Sequence, residues 1–268
     1  MNTKILFVIV LYKCPVKRTT TYVSLVSKYP DQSIFIYDNS PYTQLISREK
    51  SIYVHDAKNS GLSIAYNAAC KYAKKNGFEW LLLLDQDTDF SDITVEDYIN
   101  AIVANPEIKL FAPKVKCGGK YMSPAKVWHK MAVVRNEVPS GIVALSDYSP
   151  INSGICVNVD AMLECGGYNE SVFLDYSDFE FINRFKKVYP TVFIINKEIK
   201  QNFSVVTDDK ASTIRRYQLF CKSIKACEKQ NITDSFWYFI LVLKRCLSIS
   251  LRFKTWVPFK IILSNYLR

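Results

Sequence analysis

Five apolar residues at positions 80–84 run straight into Asp85-Gln86-Asp87-Thr88-Asp89. The run has the length of a buried strand, and three carboxylates follow within five positions. Like charges this close repel and raise one another's pKa unless something positive lies between them. The plain reading is a strand ending in a solvated acidic turn, since Asp is common in turns. The sharper reading is a clamp for a hard cation at the carboxyl edge of a parallel sheet. The rest of the chain weighs between them.

Strand-like and helical runs alternate. Residues 5–12, 33–37, 52–55, 79–84, 109–113, 151–159 and 191–196 read as strands, and residues 15–28, 62–75, 93–104 and 179–188 as helices. The 62–75 segment carries apolar residues at 62, 65, 69 and 73, a helical period, and Gly77 ends it. Residues 115–150 are irregular, with 133–134 and 142–145 as strands of a hairpin or lid. From Ser212 onward the pattern is helical. Such alternation argues for a parallel, doubly wound sheet, where ligands sit beyond the carboxyl ends of the strands. Asp38, Asn59 and Asp85 all fall just after a strand's apolar run, which favours the clamp.

Composition narrows the function classes. At 268 residues and 49% apolar, the chain is one large domain or a domain with an appendage. Only two histidines, His55 and His129, argue against a histidine-built zinc site or a serine–histidine–aspartate triad. Eight cysteines with no C-x-x-C pair read as free thiols in a reducing compartment. The apolar start is short and flows into Lys13-Cys14-Pro15, so it reads as a first strand and not as a signal peptide. No stretch approaches the roughly 20 apolar residues of a membrane span. A cytoplasmic protein is expected.

Charge is uneven. Residues 197–268 hold 14 Lys+Arg against 5 Asp+Glu, whereas residues 1–196 hold 21 against 20. No acid follows Asp234. Cations there interleave with Phe236, Trp237, Ile240, Leu243 and Trp256, a composition suited to a helix on an anionic membrane surface, or to a helix pair with a solvated basic face. No nucleic-acid motif accompanies the basic residues, and no nucleic-acid partner is expected.

Two clusters carry chemistry. Asp85-Gln86-Asp87 could hold Mg2+ or Mn2+, which favour oxygen ligands and often take only one or two carboxylates beside phosphate oxygens. The second is Asp175-Tyr176-Ser177-Asp178-Phe179-Glu180. If a helix begins near Ser177, its dipole favours an ionised Asp178, a candidate general base; Ser177 or Asp178 could equally be a helix cap.

The chain resembles the family-two glycosyltransferases of glycosyltransferase-A fold, and among them the bacterial rhamnosyltransferase-like branch that builds O-antigens, capsules and other surface polysaccharides. The resemblance rests on Val8-Ile9-Val10-Leu11-Tyr12, Tyr37-Asp38-Asn39-Ser40, Asn59-Ser60-Gly61-Leu62-Ser63-Ile64-Ala65-Tyr66-Asn67, Leu84-Asp85-Gln86-Asp87, Ile151-Asn152-Ser153-Gly154, Gly166-Gly167-Tyr168-Asn169-Glu170 and the stretch from Phe173 through Arg184, in the family's order over residues 4–220. It implies an α/β fold, a Rossmann-like mixed sheet flanked by helices. It implies a catalytic domain over residues 1–210 and a basic helical appendage over 211–268. By position, Asp38 would bind the nucleotide base; Asn59, Gly61 and Asn67 would line the diphosphate side, and Asn152 the substrate wall. Asp85 would face ribose or metal, and Asp87 would be the main metal ligand. Asp178 would be the base that activates an acceptor hydroxyl for an inverting displacement. Asp175 and Glu180 would flank a sugar, and Arg215, Arg216 and Tyr217 would sit near the diphosphate. The implied donor is a nucleotide sugar, dTDP-rhamnose first or a UDP-hexose otherwise. The implied acceptor is a lipid-linked saccharide at the inner face of the plasma membrane. One departure stands out. The family often has a histidine after the strand at 191–196, and here Lys200-Gln201-Asn202-Phe203 stands there, so Asn202 or water substitutes, or metal dependence is weaker. A nucleotidyltransferase would be expected to show a glycine-rich loop where Lys13-Cys14-Pro15 stands. A nucleotide-binding scaffold on a decayed transferase fold would not be expected to keep Asp85, Asp87 and Asp178.

Overall fold

The computed structural model describes residues 3–44, 50–201 and 209–267. Strand β1 (Ile5–Leu11) is buried at every position. Its side chains alternate between two faces, as strand geometry requires. Leu6 and Val8 pack with Leu81, Leu83 and the small residues Ala65, Ala69 and Ala73. Phe7 and Ile9 pack on the opposite face with Leu82, Leu84, Tyr98 and Ile102. A strand covered on both faces needs an unbroken apolar run, and residues 5–11 and 80–84 supply one.

Strands β2 (Ile34–Asp38) and β4 (Trp80–Asp85) flank β1 in parallel, and β3 (Ser51–His55) extends the sheet beyond β2. The register sets Asp85 beside Val10 and Asp38 beside Leu11, so three strands end at one edge. Helix α2 (Leu62–Lys75) covers one face, burying Ala65, Ala69 and Ala73. Helix α3 (Val95–Ala104), opened by a Thr94/Asp97 capping box, covers the other.

The parallel pairing read from the alternation runs unbroken through these four strands, and beyond them the sheet is mixed, as the resemblance implies. Strand β11 (Cys156–Asn158) runs antiparallel between β4 and β6 (Leu110–Cys117). Beyond it, β12 (Thr191–Gln201) pairs parallel with β6 and antiparallel with β5 (Thr88–Asp89) and β9 (Gly141–Ala144). The sheet is therefore mixed, with helices on both faces.

Three local expectations are corrected. Residues 15–28 form 3-10 turns around one short helix, α1 (Thr20–Ser24). Residues 151–155 are a turn, not the start of a strand: Ile155 N–H donates to the Asn152 carbonyl at 3.1 Å. Gly154 sits there at φ 78°, where an added Cβ would come within 2.7 Å of Pro113. The hairpin is β7 (Lys120–Trp128) with β8 (Met131–Arg135), whereas residues 141–144 pair with β12.

Helices α4 (Val159–Glu164) and α5 (Ser177–Phe185) pack on the α2 face. At the C-terminus, α6 (Lys210–Ala226), α7 (Ile232–Phe253) and α8 (Val257–Ile261) form a further core from Tyr217, Phe220, Ile224, Tyr238, Val242 and Ile249, which also takes in Val172. All eight cysteines are free thiols, five of them buried. Among the described residues no helix is long and apolar enough to cross a membrane.

Candidate active site

A cavity of about 770 Å3 opens at the carboxyl edge of β1 and β4, a size that suits a cofactor or small substrate. Asp85 and Asp87 stand on one wall, Asp175 and Asp178 on another, and Arg216 and Arg245 enter from α6 and α7. Asn59, Gly61 and Asn152 complete the group of expected residues that line it.

The acidic run divides. Asp89 turns away and accepts from Ser91 N–H and Oγ–H, both held to one carboxylate oxygen. Gln86 accepts from Tyr12 N–H at 2.9 Å, pinning the end of β1. Asp85 is half-buried, and Tyr66 Oη donates to it at 3.4 Å. Burial first, and then the charge of Asp87, push the Asp85 carboxyl up to about 6. Gln201, the last residue of β12, donates one amide group to both: 3.1 Å to Asp85 Oδ2 and 3.4 Å to Asp87 Oδ1. Its own carbonyl oxygen is buried and has no partner among the described residues. Two carboxylates and one unsatisfied amide oxygen are hard donors of the kind Mg2+ or Mn2+ takes, so these residues fit such an ion. Among the described residues no group of three or more His, Cys, Asp or Glu side chains gathers into a metal cluster.

The second cluster begins α5. Tyr176 is its N-cap residue, in the left-handed region at φ 77° and without a side-chain cap bond. Neither Ser177 nor Asp178 is the N-cap residue, although Asp178 satisfies one first-turn N–H. Its carboxylate accepts from the adjacent Phe179 N–H at 2.8 Å. Burial, with Asp175 and Asp85 adding repulsion, pushes Asp178 up to about 7 despite that bond. Asp175 behaves oppositely. Burial opposes its charge, yet Arg245 and Arg216 hold it below the usual carboxylate range, Arg216 through paired contacts at 2.9–3.2 Å and Arg245 at 2.9 Å.

Five expected site residues face elsewhere, each for a visible reason. Asp38 is fully buried, its carboxylate filled by Ser40 N–H, Tyr53 Oη–H and Gln44 Nε2–H. Asn67 fastens α2 to the turn at Gly167 by bonding both backbone groups of Tyr168. Glu180 is buried against Arg184 at 2.8 Å, and Arg184 also donates to the carbonyls of Cys165 and Gly167. Tyr217 is buried and donates to the Val242 carbonyl at 3.1 Å, locking α6 to α7. Arg215 is exposed, one position around the helix from Arg216. Asn202 lies outside the described residues.

Three cavity residues escaped the sequence reading. Asn39 lines the cavity with its side-chain carbonyl buried and unpartnered among the described residues; it lay inside a quoted motif, but its neighbour Asp38 drew the assignment. Gln201 lay inside the quoted Lys200-Gln201-Asn202-Phe203 stretch, but its neighbour Asn202 drew the assignment; a bulge between Ile195 and Glu198 carries β12 beyond the apolar run to reach it. Arg245 sits in a stretch whose composition suggested a membrane face. Its spacing was the available signal: nine residues after Phe236 is about 180° around a helix.

A mixed sheet flanked by helices, with carboxylates beyond parallel strand ends, is the arrangement expected of the glycosyltransferase-A fold. Residues 7–155 match the family model described as Glycosyl transferase family 2; the chain belongs to that family and is a glycosyltransferase. A search of the curated proteins returned no match. Among solved structures, S. aureus TarS 1-349 is similar at 12% identity over 93% of this chain and 72% of that one, with a TM-score of 0.51. The mannosyltransferase PcManGT from Pyrobaculum calidifontis, in complex with GDP-Man and Mn2+, is similar at 11% identity over 97% and 74%, with a TM-score of 0.53. At such identity these likenesses speak for the fold alone.

The raised pKa of Asp178 has a cost in stability. Its folded value, about 7, lies above the unfolded one near 3.9, so the folded state binds more protons between those limits and loses stability as pH rises through them. Asp178→Asn removes that slope. Thermal unfolding should show the variant equal to the parent near pH 4 and more stable at pH 8. The gain should be roughly 1–3 kcal/mol, discounted because the carboxyl is only part-buried.

Proposed function

We propose that the protein transfers a hexosyl group from a nucleoside diphosphate sugar to a hydroxyl of a lipid-linked saccharide, with inversion, using Asp178 as base. The observation that carries this is the pairing, in one cavity, of a base-range carboxyl at the start of α5 with the Asp85/Asp87 pair beyond β4. A group titrating near 7 accepts a proton from an acceptor hydroxyl at neutral pH more readily than an ordinary carboxylate. Removing that proton frees the oxygen to attack the anomeric carbon, through an oxocarbenium-like transition state. Asp85 and Asp87 would hold Mg2+ or Mn2+, which neutralises charge on a departing diphosphate; the Mn2+ and GDP-Man of the mannosyltransferase agree with that use. Asn59, Gly61 and Asn152 shape the donor wall. Asn39 offers an unpaired acceptor for a base N–H, with Asp38 setting the loop behind it. Asp175 holds Arg216 and Arg245 at the cavity, available to phosphate oxygens. The resemblance names rhamnose from a thymidine donor first, for surface polysaccharide synthesis; a uridine donor of galactose or glucose is the alternative.

Residues 1–210 then form the catalytic domain, and 211–268 a helical region that completes its wall and faces the inner surface of the plasma membrane. Phe236, Ile240, Leu247 and Leu251 recur at steps of four and seven residues on the outer side of α7. Phe236 and Leu251 are 54% and 79% exposed, and Trp256 beyond them is 76% exposed. Lys244, Arg252, Lys254 and Lys260 are exposed beside them. That pattern matches an anionic bilayer in both charge and depth.

Three experiments test this. With the acceptor hydroxyl proton going to Asp178, kcat/KM should climb about tenfold per pH unit below pH 7 and level off above it. Asp178→Asn should lose at least about 10²-fold in turnover, the lower scale of general-base catalysis, with nucleotide binding kept; normal turnover would remove Asp178 from the role. Replacing Phe236, Leu247 and Leu251 together with Ser should cut co-sedimentation with phosphatidylglycerol vesicles at least tenfold. Unchanged sedimentation would end the membrane reading.

A further inference from the structure

We propose that Gln201 supplies a third protein oxygen to the cation site; this rests on the donor-site reading above and deepens it. The side chain is 6% exposed, and the pairing of Gln201 with Thr88 fixes its backbone beside the Asp85–Asp87 turn. Its amide nitrogen reaches both carboxylates, at 3.1 and 3.4 Å. One amide group therefore already sits against the point on which Asp85 and Asp87 converge. Its other end, Oε1, is buried and unpartnered among the described residues. Buried carbonyl oxygens without a partner are rare, and each asks for a reason.

The two ends of an amide exchange places by a half-turn about the terminal bond, and their assignment follows the hydrogen-bond network around them. Facing two bare carboxylates, the NH2 end is the favourable one. Facing the same carboxylates around a divalent cation, the carbonyl end is favourable: Oε1 takes the cation as its partner, and the amide N–H groups give up the carboxylates they hold here. A neutral amide suits both conditions. A glutamate here would add a third negative charge beside two carboxylates that already stand together. A leucine would leave the carboxylates without a bridging donor.

The test is titration of the full-length protein with Mn2+ alone, free Mn2+ being read by electron paramagnetic resonance. Gln201→Leu should weaken binding by roughly 10–100-fold, the scale on which supporting groups matter at metal sites. Gln201→Glu should bind at least as tightly as the parent. In Gln201→His, electron-spin-echo modulation of the bound Mn2+ should reveal coupling to imidazole nitrogen. If Gln201 were only a hydrogen-bond donor to the carboxylates, removing it would remove a competitor of the cation. Gln201→Leu would then bind Mn2+ as tightly as the parent or more tightly, and that result overturns the proposal. A Gln201→His protein that binds Mn2+ without nitrogen coupling overturns it even if the Leu variant does not fold. No Mn2+ binding by the parent, or binding indifferent to Asp87→Asn, would overturn the Asp85/Asp87 reading itself and this inference with it.

Discussion

The parallel register of β1 with its two neighbours is the constraint on which the cavity depends. Val10 stands between Tyr37 and Asp85, and Leu11 beside Asp38, so three strands release their chains at one edge. Every strand residue before that edge is apolar and covered on both faces. The carboxylates cannot move inward without entering the core. They cannot splay outward either, because Thr21 Oγ–H reaches the carbonyls of both Asp85 and Thr88, and Thr88 Oγ pairs with Ser153 Oγ at 2.7 Å. The like charges are thus held together by backbone placement, and Gln201 and Tyr66 partly offset their repulsion.

The opposite wall is built by a different means. Asp175 draws Arg216 from α6 and Arg245 from α7 to a single carboxylate, and Arg245 also lies over the Phe220 ring at 4.3 Å. This joins the C-terminal helices to the segment that opens α5, three residues before Asp178. Helix α7 consequently has two occupations about half a turn apart: Arg245 inward and the apolar stripe outward. A helix that both closes the cavity and faces a bilayer would bring a membrane-borne acceptor to the side of Asp178.

The fold was largely legible because β1, β4 and α2 are locally consistent: continuous apolar runs for doubly covered strands, and a four-residue Ala spacing for the helix. What stayed hidden was set by distant pairing. The reversal at β11 depends on the Ile151–Ile155 turn and on Gly154 fitting against Pro113, neither of which leaves a periodic signal. The candidate site divides similarly. Asp85, Asp87, Asp175 and Asp178 could be placed because an apolar run or a helix start points at them. Asp38, Asn67, Glu180 and Tyr217 sit in equally suggestive motifs, but their polar atoms are consumed by nearby backbone and side chains. Arg245 comes from a segment whose composition suggested a membrane face, and Gln201 stands beside the Asn202 that was weighed for the metal shell; only the tertiary contacts single these two out.

The central claim is that the Asp85/Asp87 pair and the cavity beside it form a site for a nucleoside diphosphate held with a divalent cation. Calorimetric titration of the purified protein with thymidine and uridine diphosphates, each with and without Mn2+, tests it most directly. The account predicts binding of one nucleotide that strengthens at least tenfold with Mn2+ and loses that gain in Asp87→Asn. Binding that ignores Mn2+ would move diphosphate recognition to Arg216 and Arg245 and contradict the assignment of the carboxylate pair.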